Sequence, residues 1–161
     1  RTTGEVYECF NPKYYSFHLG IEKTNGRLDK ASVGIEICTY GPLKERDGKY
    51  YAWPNDWKTE INANDVIKLD KPFRGYKYFQ DLTLTQIHNV EKLLRTLIEK
   101  YNIKVQQSFD TTWFEYNQNV IDKTLPGIWT HVNVRKDKSD LFPKQEVLQM
   151  LNRLAKEFYK P

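Results

Sequence analysis

The chain has 161 residues, 39% of them hydrophobic, and a formal charge of +4 in which acidic and basic residues are interleaved. That length suits one core of ordinary size, and the interleaving leaves no cationic block for a nucleic-acid face, although a mildly basic surface suits an anionic polymer such as a cell wall. No apolar run approaches the roughly eighteen residues of a membrane span and no charged segment followed by an apolar one opens the chain, so neither membrane insertion nor a signal peptide finds support.

The opening "RTTGEVYECF" places a Thr-Thr-Gly turn directly before an alternating run, residues 5–10, which predicts a strand and reads as the middle of a domain rather than its start. Residues 31–39, "ASVGIEICT", predict a second strand with Val33, Ile35 and Ile37 on one face and Gly34, Glu36 and Cys38 on the other. Cys9 and Cys38 both fall in these runs. Two cysteines in a chain of this length make no stapled framework, so buried free thiols are expected, with a bridge between them left open. Residues 40–81 are rich in Tyr, Trp, Pro and Asn, lack a helical period, and predict a functional or locally folded insertion. Thr83 with Gln86 forms a capping box for a helix whose apolar positions are Ile87, Val90, Leu94, Leu97 and Tyr101. After the Tyr- and Asn-containing stretch 106–123, residues 128–132 predict a short strand. Pro143 then suits the first turn of a last helix striped by Val147, Leu148, Leu151, Leu154, Ala155 and Phe158. The alternation of strands and helices predicts an α/β single domain with a mixed central sheet flanked by helices.

Three histidines bound any metal site: His18, His88 and His131. His88 lies off the apolar stripe and reads as an exposed helix residue. His131, at the end of the predicted strand, is followed by "VNVRKDKSD", a loop able to bring Asp140 back to it. An imidazole with a carboxylate suits zinc, although His and Asp are also common at strand ends and helix caps. Lys138 precedes Asp140 by two positions, which in an extended segment puts both side chains on one side, with the ammonium placed to stabilise an oxyanion. Glu36, a lone carboxylate in an apolar run, reads equally as one half of an ion pair or as a partly buried general base. By enumeration His18 would be a third ligand, and a substrate-contacting or structural histidine remain open beside that.

Taken together, "GEVYECF", "SFHLG", "SVGIEIC", the long helix and "THVNVRKDKSD" before a final helix resemble, in that order, the zinc-dependent N-acetylmuramoyl-L-alanine amidases of type 2, which include phage endolysins and are related to peptidoglycan recognition proteins. The resemblance implies that His131 and Asp140 are two of three zinc ligands, Glu36 the catalytic carboxylate, and Lys138 the oxyanion-stabilising cation. It moves His18 from ligand to the border of the substrate cleft. It places the third ligand, a histidine, on a strand upstream of Arg1, so that the 1–161 domain would be the C-terminal major part of the family's fold, completed by an upstream segment or a partner chain. The implied reaction is zinc-assisted hydrolysis of the amide joining N-acetylmuramic acid to the L-alanine of the stem peptide. Its setting would be the bacterial cell wall, reached by secretion or phage delivery. Trp53 and Trp57, with Tyr50 and Tyr51, would wall a groove for the glycan strand and stem peptide, or else pack as a satellite cluster. The rivals are an inactive peptidoglycan-binding module and an amidase-like structural part of a phage or secretion assembly.

Overall fold

The computed structural model describes residues 3–11 and 13–161, and of Pro54 and Asn55 the backbone alone. Part of the turn expected at residues 2–4 thus lies outside the described residues. In chain order the elements are the one-turn helix α1 (Arg27–Lys30), strands β1 (Pro42–Arg46) and β2 (Lys49–Ala52), the short helix α2 (Pro54–Trp57), strands β3 (Thr59–Ile61), β4 (Val66–Phe73) and β5 (Tyr76–Gln80), and helices α3 (Leu84–Tyr101), α4 (Gln118–Asp122), α5 (His131–Val134) and α6 (Gln145–Phe158).

The stretch expected as an insertion is the sheet itself. Its five strands run β3-β2-β1-β5-β4, and every pairing is antiparallel. The sheet is therefore not mixed, and its strands follow one another before the long helices instead of alternating with them. Asp47-Gly48 joins β1 to β2 and Arg74-Gly75 joins β4 to β5. Both residues of each pair are left-handed, at φ 53° and 75° and at φ 52° and 84°, the geometry that two-residue hairpin turns need to match strand twist. Leu43, Ala52 and Ile61 are buried on the sheet with Tyr50 and Tyr78 packed against them. Phe79 instead packs on Phe142, just ahead of α6, their ring centroids 4.7 Å apart.

The strands expected at 5–10, 31–39 and 128–132 do not form: these residues are irregular, except that His131 and Val132 open α5. Alternation says which side chains would share a buried face, but a strand exists only when a neighbour accepts and donates its ladder bonds. Without one, Val6, Tyr7, Phe10 and Val33 are exposed. Cys9 and Cys38 are free thiols as expected, but exposed rather than buried, for the same reason.

Both long helices form as their periodicity predicts. Thr83 caps α3: its hydroxyl accepts from the Gln86 N–H at 3.1 Å and its N–H donates to Gln86 Oε1 at 2.9 Å. Helix α6 starts at Gln145, two residues later than expected, with Lys144 as its N-cap and Pro143 just outside. Its stripe Val147, Leu148, Leu151, Leu154 and Ala155 is buried in the main core with Ile87 and Ile98 of α3 and with Phe109, Trp113 and Phe114. Each large side chain so buried contributes about 1.5–3 kcal/mol. His88 is exposed and Tyr101 largely so. No helix among the described residues is long and apolar enough to cross a membrane.

Where α3 crosses α6, a carboxylate replaces an apolar contact. Glu91, 8% exposed, accepts from Arg95 at 2.9 Å and from Arg153 at 3.1 and 2.6 Å. The Arg153 hydrogen bond, with Arg95 adding to it, holds the Glu91 carboxyl below its ordinary value of 4.5 against the burial that raises it. A carboxylate with a depressed folded pKa contributes stability that is present above the unfolded value and is lost as pH falls through the folded one. The thermal unfolding midpoint should therefore fall as pH drops below about 4.5, and Glu91→Gln should flatten that fall while costing about 2 kcal/mol at neutral pH. An unchanged acid limb in the variant would remove Glu91 from the account.

Candidate functional site

The approach to His131 is guided by side chains where a strand partner was expected. Gln106 takes the place of a neighbouring strand, accepting the Ile128 N–H at 2.9 Å and donating to the Ile128 carbonyl at 2.7 Å, with Trp113 Nε1 donating to the same carbonyl at 2.9 Å. A Cβ at Gly127, where φ is +139°, would come within 2.8 Å of the Gln106 amide, so glycine lets this clamp close.

Asn133 then fixes α5. Its Oδ1 accepts from the Thr130 N–H at 2.7 Å and the Thr130 hydroxyl at 3.0 Å. Its Nδ2 donates to the carbonyls of Trp113 at 2.6 Å and Glu115 at 2.8 Å. The side chain is 1% exposed and every hydrogen-bonding position is used. A helix of four residues has almost no stability of its own, so this amide is what holds His131 in place.

His131 Nε2 lies 3.0 Å from the Leu19 carbonyl and Nδ1 lies 2.7 Å from Asp140 Oδ2. A carbonyl and an ionised carboxylate can both only accept, so each ring nitrogen of His131 faces an acceptor. The 2.7 Å contact is that of a hydrogen bond, since two ligand atoms on one tetrahedral zinc ion, each about 2.0–2.2 Å from it, stand farther apart. An imidazole whose other nitrogen is tied to a backbone carbonyl is the usual arrangement of a metal-binding histidine. The His131 hydrogen bond, then the charges of His131, Lys138 and Arg135, hold the Asp140 carboxyl below its ordinary value of 3.8 against partial burial. Lys138 is half-buried.

His131 and Asp140 fit a zinc ion in donor chemistry, and they meet each other directly at 2.7 Å. Among the described residues no group of three or more His, Cys, Asp or Glu side chains gathers that could hold a metal.

The other expected residues are placed differently. His18 is engaged within its own loop: its ring nitrogens lie 2.8 Å from the Ser16 carbonyl and 3.1 Å from the Ser32 hydroxyl, and its ring covers Gly34, where a Cβ would approach to 2.9 Å. It joins the site only through its neighbour Leu19. Glu36, expected to be partly buried, is exposed on the unpaired segment, where water solvates its carboxylate, and among the described residues no hydrogen bond or ion pair joins it to His131 or Asp140. Trp57 lies against Tyr76, centroids 6.1 Å apart, with Lys44 Nζ 4.3 Å from its ring centre, whereas Trp53 is 66% exposed. The β4–β5 turn reaches the site loop through Arg74, which donates to the carbonyls of Lys136 at 3.0 Å and Val132 at 3.3 Å.

Leu19, Asn133, Arg74 and Arg135 are parts of the site that residue types did not announce. A backbone carbonyl leaves no trace in a sequence, and Arg135 was visible only as one charge among several in "VRKDKSD". Asn133→Ala should cost about 3 kcal/mol in denaturant unfolding, because Thr130 and two buried carbonyls lose their partners together. A loss under about 1 kcal/mol would mean that α5 is held by other means.

No protein-family model, no curated protein and no solved structure matches this chain, so its site is read from its own residues.

Proposed function

We propose that the chain is a peptidoglycan hydrolase that cleaves the amide between N-acetylmuramic acid and the L-alanine of the stem peptide with the help of zinc. The observation that carries this reading is the His131–Asp140 contact at 2.7 Å, with the opposite ring nitrogen tied to Leu19. It gains weight from the order of the "HLG", "GIE" and "KSD" segments, which resembles the type 2 amidases.

Zinc at this pair, with a third ligand from outside the described residues, would supply Lewis acidity toward the amide carbonyl and the attacking water. The chain's own residues have separable tasks. The Leu19 carbonyl keeps the imidazole oriented. Lys138 brings a cation beside Asp140, where the oxyanion of a tetrahedral intermediate gains from it. Glu36, whose exposed carboxylate is accessible to substrate, takes the proton of the attacking water and passes it to the departing alanine nitrogen. Trp53 offers an aromatic face for a sugar ring at the sheet, and Trp57, already in contact with Tyr76 and Lys44, is the weaker candidate. The glycan strand and stem peptide are the partners this reading requires.

The second reading is a peptidoglycan-binding module without turnover. It is favoured by the gathering of only two donors among the described residues, since an incomplete ligand set holds zinc weakly.

Glu36→Gln should lower stem-peptide release from purified peptidoglycan on the order of 10²- to 10⁴-fold while zinc content stays the same. Near-normal hydrolysis would end its role as base. Asp140→Ala should lose zinc, as read by metal analysis of the purified protein, and an unchanged stoichiometry would refute its place as a ligand. Wall binding with neither metal nor cleavage in the wild type would favour the recognition module.

A further inference from the structure

Charges of both signs are interleaved in "PLKERDGK", and the pleat of β1 sorts them by face. Lys44 stands across from Tyr51 and Arg46 across from Lys49, while Glu45 turns to the other face, where its carboxylate accepts the Gly48 N–H at 2.7 Å. Tyr51 stands in turn across from Glu60, which pairs with Lys49 at 3.1 Å. The same face is buried where Phe79, across from Pro42, packs on Phe142. Toward the hairpin turns it is exposed and carries Lys44, Arg46 and, two residues from Phe79 on β5, Lys77. Asp47, in the β1–β2 turn, is the counter-charge at this end.

Lys44 and Arg46 are held by rings instead of carboxylates. Lys44 Nζ lies 4.3 Å from the centre of the Trp57 ring, which stacks on Tyr76, and the Arg46 guanidinium lies 5.8 Å from that of Tyr51. A ring fixes a long cationic side chain without neutralising it, so the charge stays available and less freedom is lost when an anion arrives. Because β1 and β4 both run antiparallel to β5, the β1–β2 and β4–β5 turns lie at one end of the sheet. From that end Arg74 donates to the carbonyls of Val132 and Lys136, and Lys136 Nζ lies 4.8 Å from the Tyr116 ring centre, a cation held in the same way.

We propose that this face of the sheet binds an anionic wall polymer built of polyol units joined by phosphodiesters, and so holds the chain against the wall. The cations set the sign of the partner. The rings set its kind: Trp57 and Tyr51 are engaged by Lys44 and Arg46, whereas a single-stranded nucleic acid is held by bases stacked on open aromatic faces. A polyol phosphate has no base to stack. Its charges lie in the polymer backbone and follow one another along a line, as do Lys44 and Arg46, roughly 6.8 Å apart along one strand. That the polymer belongs to a cell wall rests on the peptidoglycan reading, whereas the binding of a base-free polyanion does not.

The test is calorimetric titration of the full chain with synthetic poly(glycerol phosphate) over a range of salt concentrations. The wild type should bind with an affinity that falls as salt rises. Lys44→Gln combined with Arg46→Gln should weaken binding on the order of tenfold or more and lower the slope of log affinity against log salt by about two. Lys77→Gln, at a residue with an exposed side chain, should lower that slope by about one. Lys100→Gln, which removes a cation 5.4 Å from the Tyr101 ring centre on α3, should leave it unchanged. Absence of binding by the wild type overturns the proposal, as does an unchanged slope in Lys77→Gln. So does an equal loss in Lys100→Gln, since net charge alone would then account for the binding. Tighter binding of a single-stranded oligonucleotide with the same number of phosphates overturns it in favour of a nucleic-acid face. Failure of the peptidoglycan reading shows elsewhere, as uncut peptidoglycan stripped of this polymer, and leaves these titrations unaltered.

Discussion

One buried amide, that of Asn133, sets the geometry on which the candidate site depends. It joins the start of α5 to the carbonyls of Trp113 and Glu115, and the backbone carbonyl of Asn133 in turn accepts the Asn117 N–H at 2.9 Å. Because a four-residue helix cannot hold itself together, the position of His131 is an outcome of this packing and not of local propensity. The constraint propagates outward. With α5 fixed, the imidazole reaches Leu19 on one side and Asp140 on the other, so distant parts of the chain meet at one ring.

The sheet stands in a different relation to the site. It lies between the N-terminal segment and the long helices in sequence, and its inner residue Phe79 packs on Phe142 just ahead of α6. The link from sheet to site is Arg74, in the turn between β4 and β5, whose guanidinium spans the carbonyls of Val132 and Lys136. A two-residue hairpin turn is a stiff support for such a contact, since both of its residues are confined to the left-handed region. The aromatic residues Trp53 and Trp57 lie in the connection between β2 and β3 of the same sheet.

Much of the helical half was legible. Thr83 and Gln86 state a helix start by their chemistry, and the spacing of the apolar residues in α3 and α6 states which faces meet. Glu91 was not legible, because a carboxylate on an apolar face looks like an error until Arg153, far along the chain, arrives to pair with it. The sheet was misread as an insertion. Its inward positions are filled by Tyr and Ala as often as by Val or Ile, as Tyr50, Ala52 and Tyr78 show, which blurs the alternation. The Asp47-Gly48 pair between β1 and β2 was the signal that could have revealed it.

By itself the sequence determined local matters: where α3 begins, which faces of α3 and α6 are apolar, which turns need left-handed residues, and which few side chains can carry a metal or a proton. These follow from interactions spanning a few residues, whose partners are neighbours in the chain. The tertiary structure alone decided that residues 5–10 and 31–39 pair with no strand, that Glu36 is exposed, that His18 serves its own loop, and that Leu19 and Asn133 hold His131 and its helix in place. Those outcomes turn on whether a buried donor meets an acceptor remote in sequence, and a hydrogen-bond partner that is a backbone atom elsewhere in the fold is written in no residue type.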